Sequence, residues 1–188
     1  CAFDMEELPS RYLKQFGIKI DDYVSHHHSH MAGGYYTAPF KDADTLTIDA
    51  IGEFETITLW NNEKKVKSWS YPYSLGLLYS AMTKRIGLKP NEEEYILMGM
   101  SAFGDRQKYR QELKDSFIKS IAKGKVKFKK NLHRGCLWWK PEGLRAMDIY
   151  DVAAGTQQVY EDMLVHIMAW AKTISSSRNL VFTGGCAL

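Results

Sequence analysis

The sequence predicts an α/β domain, because three consecutive strand patterns are followed by a helix. Residues 45–51, 54–60 and 65–71 each alternate apolar and polar side chains, as half-buried strands do. An asparagine-rich turn joins the second pattern to the third, which is typical of a hairpin. Ser74 is then a suitable N-cap for a helix with apolar residues at helical spacing, which Gly87 ends.

Helical patterns dominate the rest of the chain. The longest spans 146–175, has no interior proline, and precedes a short apolar strand at 179–183. Ser25 or Asp22 is placed to cap a helix at 26–36. The other expected elements are a short helix at 11–16 ended by Gly17, a brief strand at 18–20, a loop or short helix at 89–104, an amphipathic helix at 105–123, and strands or irregular structure at 125–141.

Composition indicates one domain or one large lobe. The chain has 188 residues, 45% of them hydrophobic, and a domain of this size buries roughly 70% of the surface that its unfolded form exposes. Its 25 basic and 22 acidic residues give a net charge of +3. The basic run at 123–130 alternates with apolar residues like one solvated face of a strand, without an aromatic stacking platform, so it does not indicate nucleic-acid binding.

Cysteine usage and hydropathy favour a cytoplasmic protein. Cys1, Cys136 and Cys186 show no paired spacing, which argues against a disulfide framework. No apolar run approaches the roughly 20 residues of a membrane span, and the first residues lack the pattern of a signal peptide. Both ends are expected to be truncated, since no initiator methionine is present and the glycine pair at 184–185 opens a turn just before the last residue.

The histidines at 26–30, in the sequence HHHSH, are the strongest local signal. On a helix, residues four apart share a face with Cβ atoms roughly 6 Å apart, so His26 and His30 can direct ring nitrogens at one ion. Imidazole suits zinc, iron, copper or nickel. His27 and His28 then point elsewhere, toward substrate or as hydrogen-bond donors. A solvated polar turn is the alternative interpretation, and two histidines need a third ligand to complete a site.

Two strand ends are candidates for a metal or nucleotide site. Asp49 ends a strand just before the turn at Gly52 and Glu53, a common arrangement for holding a metal or its water near phosphates. Gly184 and Gly185 follow the last strand, where backbone amides can approach a phosphate or adenosine. Each segment is also typical of an ordinary turn.

Other reactive side chains have simpler interpretations. Residues 98–104, which include Gly99, resemble a glycine-punctuated loop with two apolar anchors. Cys186 has no identifiable histidine partner and is expected to be a small buried filler, and His133 a packed or surface residue. The polar residues of the long helix are expected on its exposed face: Asp151, Gln157, Gln158 and Glu161.

Six segments, in the same order, resemble the O-carbamoyltransferases of the nodulation-protein and antibiotic-tailoring type. HHHSH at 26–30 followed by APF at 38–40 is similar to their HHxSH…SPF signature. The other segments are DAIGE at 49–53, similar to DGxGE; YPYSLGLLYS at 71–80, similar to PHSLGLLYS; MGMSAFG at 98–104, similar to MGLAPYG; DVAAGTQQ at 151–158, similar to DLAASxQ; and GGCAL at 184–188, similar to GGVALN. Ala50, Met31 and Ile96 depart from the family pattern.

The resemblance implies an actin-like ATPase lobe of ribonuclease-H-like fold, with a mixed sheet flanked by helices, related to the tRNA threonylcarbamoyladenosine enzyme. Residues 1–188 would form part of the actin-like carbamoyltransferase domain. A second domain, absent here, would make carbamoyl-adenylate from ATP and carbamoyl phosphate. The actin-like domain would pass the carbamoyl group to a hydroxyl of a small molecule or glycan, and the truncated chain alone would be inactive.

The resemblance also implies roles for individual residues. His26 and His30 would hold a divalent ion, Fe²⁺ in the cell or alternatively Zn²⁺ or Mn²⁺, with a third ligand, an aspartate, beyond Leu188. Asp49 and His27 would be catalytic. The residues expected to bind ATP or carbamoyl-adenylate are Gly52, Glu53, Gly99, Gly184 and Gly185.

Three other functions stay open at this stage. A non-catalytic metal-binding or scaffold module would use the histidines only to fold. A tRNA-modifying or hydrogenase-maturation relative would share the chemistry, although the segments at 38–40 and 71–80 argue against both. A sugar kinase of the same superfold is a weaker alternative, because no acidic sugar-phosphorylating constellation is evident.

Overall fold

The computed structural model describes residues 7–187, with side chains from residue 10 onward. Cys1 and Leu188 lie outside this range. The elements are α1 (Glu7–Lys14), α2 (His26–Thr37), β1 (Asp44–Gly52), β2 (Glu55–Asn61), β3 (Lys64–Ser70), α3 (Leu75–Arg85), α4 (Glu94–Met100), α5 (Arg110–Phe117), β4 (Ile118–Ala122), β5 (Lys125–Phe128), α6 (Ile149–Ile174) and β6 (Leu180–Thr183), with 3-10 turns at Ser101–Phe103 and Ala146–Asp148.

Four strands form a mixed sheet in the order β3-β2-β1-β6. The pairs β1–β2 and β2–β3 are antiparallel, and β6 adds to β1 in the parallel direction. The strands β4 and β5 form a separate hairpin. These observations confirm the predicted α/β class with a mixed sheet flanked by helices.

The two faces of the sheet differ in chemistry. Leu46 and Ile48 of β1 are fully buried in the main hydrophobic core, to which α3 and α6 contribute. Thr45 and Thr47 alternate with them and are equally buried on the opposite face, which α2 covers. Thr47 lies in register with Thr58 of β2 on this second face. The period of two along β1 therefore separates an aliphatic layer from a threonine layer.

The start of β1 is tied to the serine loop that precedes β6. Asp44 is buried, and its carboxylate accepts hydrogen bonds from the backbone N–H groups of Ser176 (3.1 Å) and Ser177 (3.4 Å) and from the hydroxyl of Ser175. Asp44 is also the β1 residue paired with Leu180. The loop therefore enters β6 at a fixed register.

Helix α3 begins against the end of β1. The Ser74 hydroxyl accepts a hydrogen bond from the Leu77 backbone N–H (3.1 Å) and donates one to the Ala50 carbonyl (2.6 Å). This confirms Ser74 as the predicted N-cap. At Gly76 the two backbones approach so closely that an added Cβ would lie 2.6 Å from the Ala50 Cα. The helix is thus fixed beside β1 by its cap and by its glycine.

Three sequence predictions of secondary structure are wrong. Residues 18–20 are irregular instead of a strand, and the first helix lies at Glu7–Lys14 rather than 11–16. Within the expected helix at 105–123, only α5 is helical, and the chain then turns into β4. Lys123 and Gly124 both have positive φ, 48° and 72°, which is the backbone of a two-residue hairpin turn.

The polar residues of α6 are partly buried, which corrects the prediction of an exposed face. Gln157 accepts a hydrogen bond from the Tyr79 hydroxyl at 2.7 Å, and Glu161 pairs with Arg106 at 3.0 Å. Asp151 accepts a hydrogen bond from the Asp105 backbone N–H at 2.9 Å. These groups therefore connect α6 to its neighbours.

In the described range, no helix is long and apolar enough to cross a membrane. Cys136 is a buried free thiol and Cys186 a partly buried one. Burial raises the pKa of each thiol to about 12, which is consistent with the prediction that Cys186 is not a nucleophile.

We expect Gly76→Ala to destabilise the fold by about 2–3 kcal/mol, because the added methyl overlaps the Ala50 backbone. Gly33→Ala is the matched control: both glycines are helical, but a Cβ at Gly33 would meet no described atom within 4 Å. That control should raise the free energy of unfolding by up to about 1 kcal/mol. Urea unfolding of both variants measures the contrast, and equal effects would contradict the packing described for α3.

We expect the Asp162 carboxylate to stabilise the fold above about pH 4. Burial alone would raise its pKa, but hydrogen bonds from Arg110, Lys114 and Gln158 outweigh burial and lower the pKa to about 2. Because the folded pKa lies below 3.8, the ordinary value of an aspartate, this stability is lost as pH falls from about 4 through 2.

Asp162→Asn should therefore lower the free energy of unfolding by about 1–2 kcal/mol at pH 7, a figure reduced for partial exposure. The difference from the wild type should vanish toward pH 2. Asp115→Asn, which alters an exposed carboxylate on α5, is the control and should change little. A difference for Asp162→Asn that stays constant down to pH 2 would contradict this assignment.

Candidate metal and nucleotide site

The site lies at the carboxyl end of β1, where the strand pairing is irregular. The register of β1 against β2 shifts between Ile48 and Gly52, and such bulges commonly redirect a side chain beside a functional site. Asp49 follows Ile48 and lies on the face that α2 covers. Because β6 runs parallel to β1, its carboxyl end, followed by Gly184, reaches the same edge of the sheet.

Helix α2 presents His26 and His30 to Asp49, as the spacing of four residues predicted. The His26 Nε2 lies 2.6 Å from the Asp49 Oδ2 and 3.1 Å from the His30 Nε2, and the His30 Nε2 lies 3.2 Å from the same Oδ2. Both imidazoles are partly exposed, whereas the carboxylate is only 16% exposed. The three donor atoms therefore converge on one point at the rim of the protein.

The convergence fits a divalent transition metal. Donors bound about 2.1 Å from one ion lie roughly 3 Å from each other, and the three separations here are 2.6, 3.1 and 3.2 Å. Two imidazoles and one carboxylate form the set typical of non-haem Fe²⁺ sites, and they also suit Zn²⁺. Sequence reasoning placed Asp49 beside an ion and expected the third ligand beyond Leu188. The geometry offers Asp49 itself as a third donor.

Electrostatics keep the Asp49 carboxylate ionised. Burial opposes ionisation, but hydrogen bonds from the His26 ring and from the Ala50 backbone N–H (2.7 Å) lower its pKa below the ordinary value. The negative charge is therefore retained where two imidazoles face it.

His27 is not brought into this cluster. Its side chain is buried, with 1% exposed, and its Nδ1 lies 3.0 Å from the Thr58 hydroxyl on the threonine face. Burial lowers its pKa, so the neutral ring is favoured. His27 therefore connects α2 to β2, and its catalytic role stays a prediction.

Gly52 and Glu53 both contact the start of α2. A Cβ at Gly52 would lie 2.4 Å from the His26 Cδ2 and 2.6 Å from the His27 Cδ2, so the missing side chain makes room for two imidazoles. Glu53 is exposed in a turn with φ 58° and accepts a hydrogen bond of 3.4 Å from the His26 backbone N–H. Both residues therefore fix the start of α2.

The glycines predicted to bind a nucleotide lie in different places: Gly184 and Gly185 pack against β1, whereas Gly99 lies on an exposed surface. Gly184 has φ 100°, and a Cβ there would lie 2.3 Å from the Ile48 carbonyl oxygen. Gly185 lies beside Asp49, whose Oδ1 would be 2.8 Å from an added Cβ. Gly99 lies on the exposed surface of α4, where a Cβ would meet no described atom within 4 Å. Gly52 and Gly185 therefore adjoin metal donors, whereas Gly99 does not.

A cavity of about 400 Å³, here named the first cavity, opens beside the donors. It lies between the end of β1, the glycine pair and the helices α3, α4 and α6, and its wall includes Asp49 and Gly185. Most of the polar residues that line this cavity could not be predicted from the sequence, because they are far apart in the chain. The additional polar groups are Tyr79, Ser80, Asn91, Glu92, Glu94, Tyr95, Gln157 and Tyr160.

The polar wall is held in place by its own hydrogen bonds. Glu94 accepts a hydrogen bond from the Ser80 hydroxyl (2.5 Å) and one from the Asn91 backbone N–H (2.7 Å). The Tyr79 hydroxyl donates to Gln157, and burial raises the pKa of this tyrosine, so it stays a neutral donor. A small polar ligand would meet a preformed set of acceptors and hydroxyl groups beside the metal donors.

Comparisons with known proteins assign the chain to a family. An uncharacterized protein of Synechocystis sp. is 30% identical over 183 residues, covering 87% of this chain and 30% of that protein. An uncharacterized protein of Methanocaldococcus jannaschii is 30% identical over 113 residues, covering 50% of this chain and 19% of that protein. The chain thus spans less than a third of these curated relatives. The family described as carbamoyltransferase N-terminus matches residues 8–188, so the chain belongs to this carbamoyltransferase family.

Proposed function

We propose that this chain provides the metal-binding part of an enzyme that transfers a carbamoyl group from carbamoyl-adenylate to a hydroxyl group. The convergence of His26, His30 and Asp49 at the rim of the first cavity carries the proposal. Family membership supplies the carbamoyl group as the transferred unit. ATP and carbamoyl phosphate would be the precursors, and another part of the protein would join them.

The donors suit binding of one divalent cation, Fe²⁺ in the first place and Zn²⁺ or Mn²⁺ as alternatives. Such a cation, when bound, supplies Lewis-acid polarisation of the carbamoyl carbonyl. His26 and His30 would be ligands through their Nε2 atoms and Asp49 through Oδ2. The ionised carboxylate offsets part of the cation charge and fixes both imidazole rings.

The rest of the reaction would use the first cavity. The acceptor hydroxyl oxygen would form a bond to the carbamoyl carbon and lose its proton to solvent, while the bond from that carbon to the adenylate phosphate oxygen breaks and AMP leaves. Gly185 leaves the approach to Asp49 open, because any side chain there would collide with the carboxylate. Glu94 and the Tyr79 hydroxyl would orient a polyol or similar acceptor through hydrogen bonds.

We also propose that the chain is one lobe of an actin-like, ribonuclease-H-like ATPase domain. Three strands linked by tight turns, then a helix, and then a strand added in parallel to the first support this fold. Carbamoyl-adenylate formation would belong to a second domain. The intact protein is therefore the object on which the function has to be tested.

We expect the intact protein to bind about one divalent metal ion per chain, and His30→Ala and Asp49→Asn each to weaken binding by at least about 100-fold, since each removes a ligand. His28→Ala is the matched control: it removes an imidazole of the same motif that instead stacks on Trp60 at 5.3 Å. Metal analysis after dialysis against a competing chelator measures the difference. Full metal content in both ligand variants would contradict the site.

We further expect ATP consumption by the intact protein, with a hydroxyl acceptor present, to require carbamoyl phosphate. Release of AMP should stop after chelation of the metal and in Asp49→Asn, and it should persist in His28→Ala. Chromatographic measurement of AMP and of carbamoylated product tests this. A protein that binds metal but turns over ATP regardless of carbamoyl phosphate, or not at all, would instead support the scaffold alternative.

A further inference from the structure

A second cavity, of about 290 Å³, lies on the other side of helix α3. It shares Ala50, Ser80 and Asn91 with the first cavity, so the two spaces adjoin near the end of β1. The inner wall is formed by α3, and the outer wall by the segment at 132–135. Neither the sequence motifs nor the proposed transfer chemistry accounts for this space.

The outer wall is a turn that is fixed to α3. The Gly135 backbone N–H donates to the Leu132 carbonyl at 2.9 Å, and Gly135 has φ 87°. On either side of the turn, Leu132 and Cys136 are buried, and the Cys136 thiol donates to the Ala81 carbonyl of α3 at 3.2 Å. The turn is therefore a built wall of the cavity and holds its two central residues, His133 and Arg134, at the opening.

The charged lining of this cavity is basic. It includes Lys84, His133 and Arg134, and the lining residues that the structure describes include no aspartate or glutamate. Lys84 lies against the turn, since a Cβ at Gly135 would be 3.1 Å from the Lys84 Cδ. Two formal positive charges thus face a cavity whose own described lining residues carry no carboxylate.

Neither cation has a protein partner in the described part of the chain. The side chains of Lys84 and Arg134 make no hydrogen bond or ion pair with the described residues, whereas the Arg85 side chain donates to the Trp139 carbonyl at 2.7 Å. Arg110, on another surface, makes two hydrogen bonds to Asp162. The cations of the second cavity are therefore available to an external anion, unlike their neighbours.

The first cavity has the opposite charge. Its wall contains Asp49, Glu92 and Glu94 and, among the described residues, no lysine or arginine. Two adjoining clefts of opposite sign favour a ligand whose anionic group is separated from its uncharged or cationic end. The position of Ser80 on both walls allows one molecule to reach across α3.

We propose that the second cavity is an oxyanion site that binds a phosphate or carboxylate group of a small molecule whose reacting end enters the first cavity. Arg134 supplies a planar fork of N–H donors and Lys84 a compact ammonium, the two groups that most often hold phosphate. That the molecule is a carbamoyl-transfer substrate, the acceptor or the adenylate, rests on the proposed function. Oxyanion binding itself does not.

Inorganic phosphate is the probe that tests the site. It is titrated calorimetrically into the intact protein at low ionic strength, where surface charges are least screened, and with EDTA present, so that no metal ion can bind it. Lys84→Gln and Arg134→Gln should each weaken phosphate binding about five- to tenfold, and the double variant should abolish measurable binding. Both residues are exposed, so the variants are expected to fold.

Lys67→Gln is the matched control, because it removes one exposed lysine charge from β3, away from both cavities. It should bind phosphate like the wild type. Absence of phosphate binding by the wild type, or equal affinity in the wild type and the double variant, would overturn the oxyanion site. Because metal is excluded, this result does not depend on whether the transfer reaction is correct.

Competition then identifies the source of the anion. Displacement of phosphate by AMP assigns the cavity to the adenylate phosphate. Displacement by glycerol phosphate but not by AMP assigns it to an anionic acceptor. If neither compound competes while phosphate still binds, the claim that the anion belongs to a transfer substrate is overturned.

Discussion

One carboxylate oxygen, the Asp49 Oδ2, faces two imidazole nitrogens that lie 3.1 Å from each other. These three atoms can lie so close together only if β1, which carries Asp49, and α2, which carries both histidines, are held at a fixed distance. Gly52 allows the imidazoles to pack directly on the strand, and His27 connects the helix to Thr58 on the next strand. The threonine face of the sheet therefore serves as the surface on which the site is positioned.

At the carboxyl end of β1, successive side chains face different helices. Asp49 turns toward α2, while Ala50, one residue later, turns toward α3 and contacts the glycine and serine at the start of that helix. Both cavities meet at Ala50, so a helix anchored by its cap separates an acidic space from a basic one. Charge separation over a short distance is a means of orienting a polar ligand before reaction.

Much of the fold could be predicted from local patterns, because alternation and helical spacing are properties of short segments. Three strands, α3 and α6 were predicted in this way. The hairpin after α5 was missed, since Lys123 and Gly124 adopt positive φ only within the folded hairpin. The spacing of four residues identified His26 and His30, but sequence does not reveal that Asp49 lies within bonding distance of both. The cavity walls join residues that lie far apart in the chain, such as Tyr79 and Gln157, and local patterns do not connect them.

The anchoring of Asp44 to the serine loop has a consequence at the opposite end of the strand. Since β6 is only four residues long and begins opposite Asp44, the first glycine after it always arrives at the Ile48 carbonyl. Removing one residue from β6 would bring Gly185 to that place and Cys186 next to the carboxylate of Asp49, where a side chain cannot fit. A change in the length of β6 is therefore not tolerated, and natural insertions or deletions after α6 should avoid this strand.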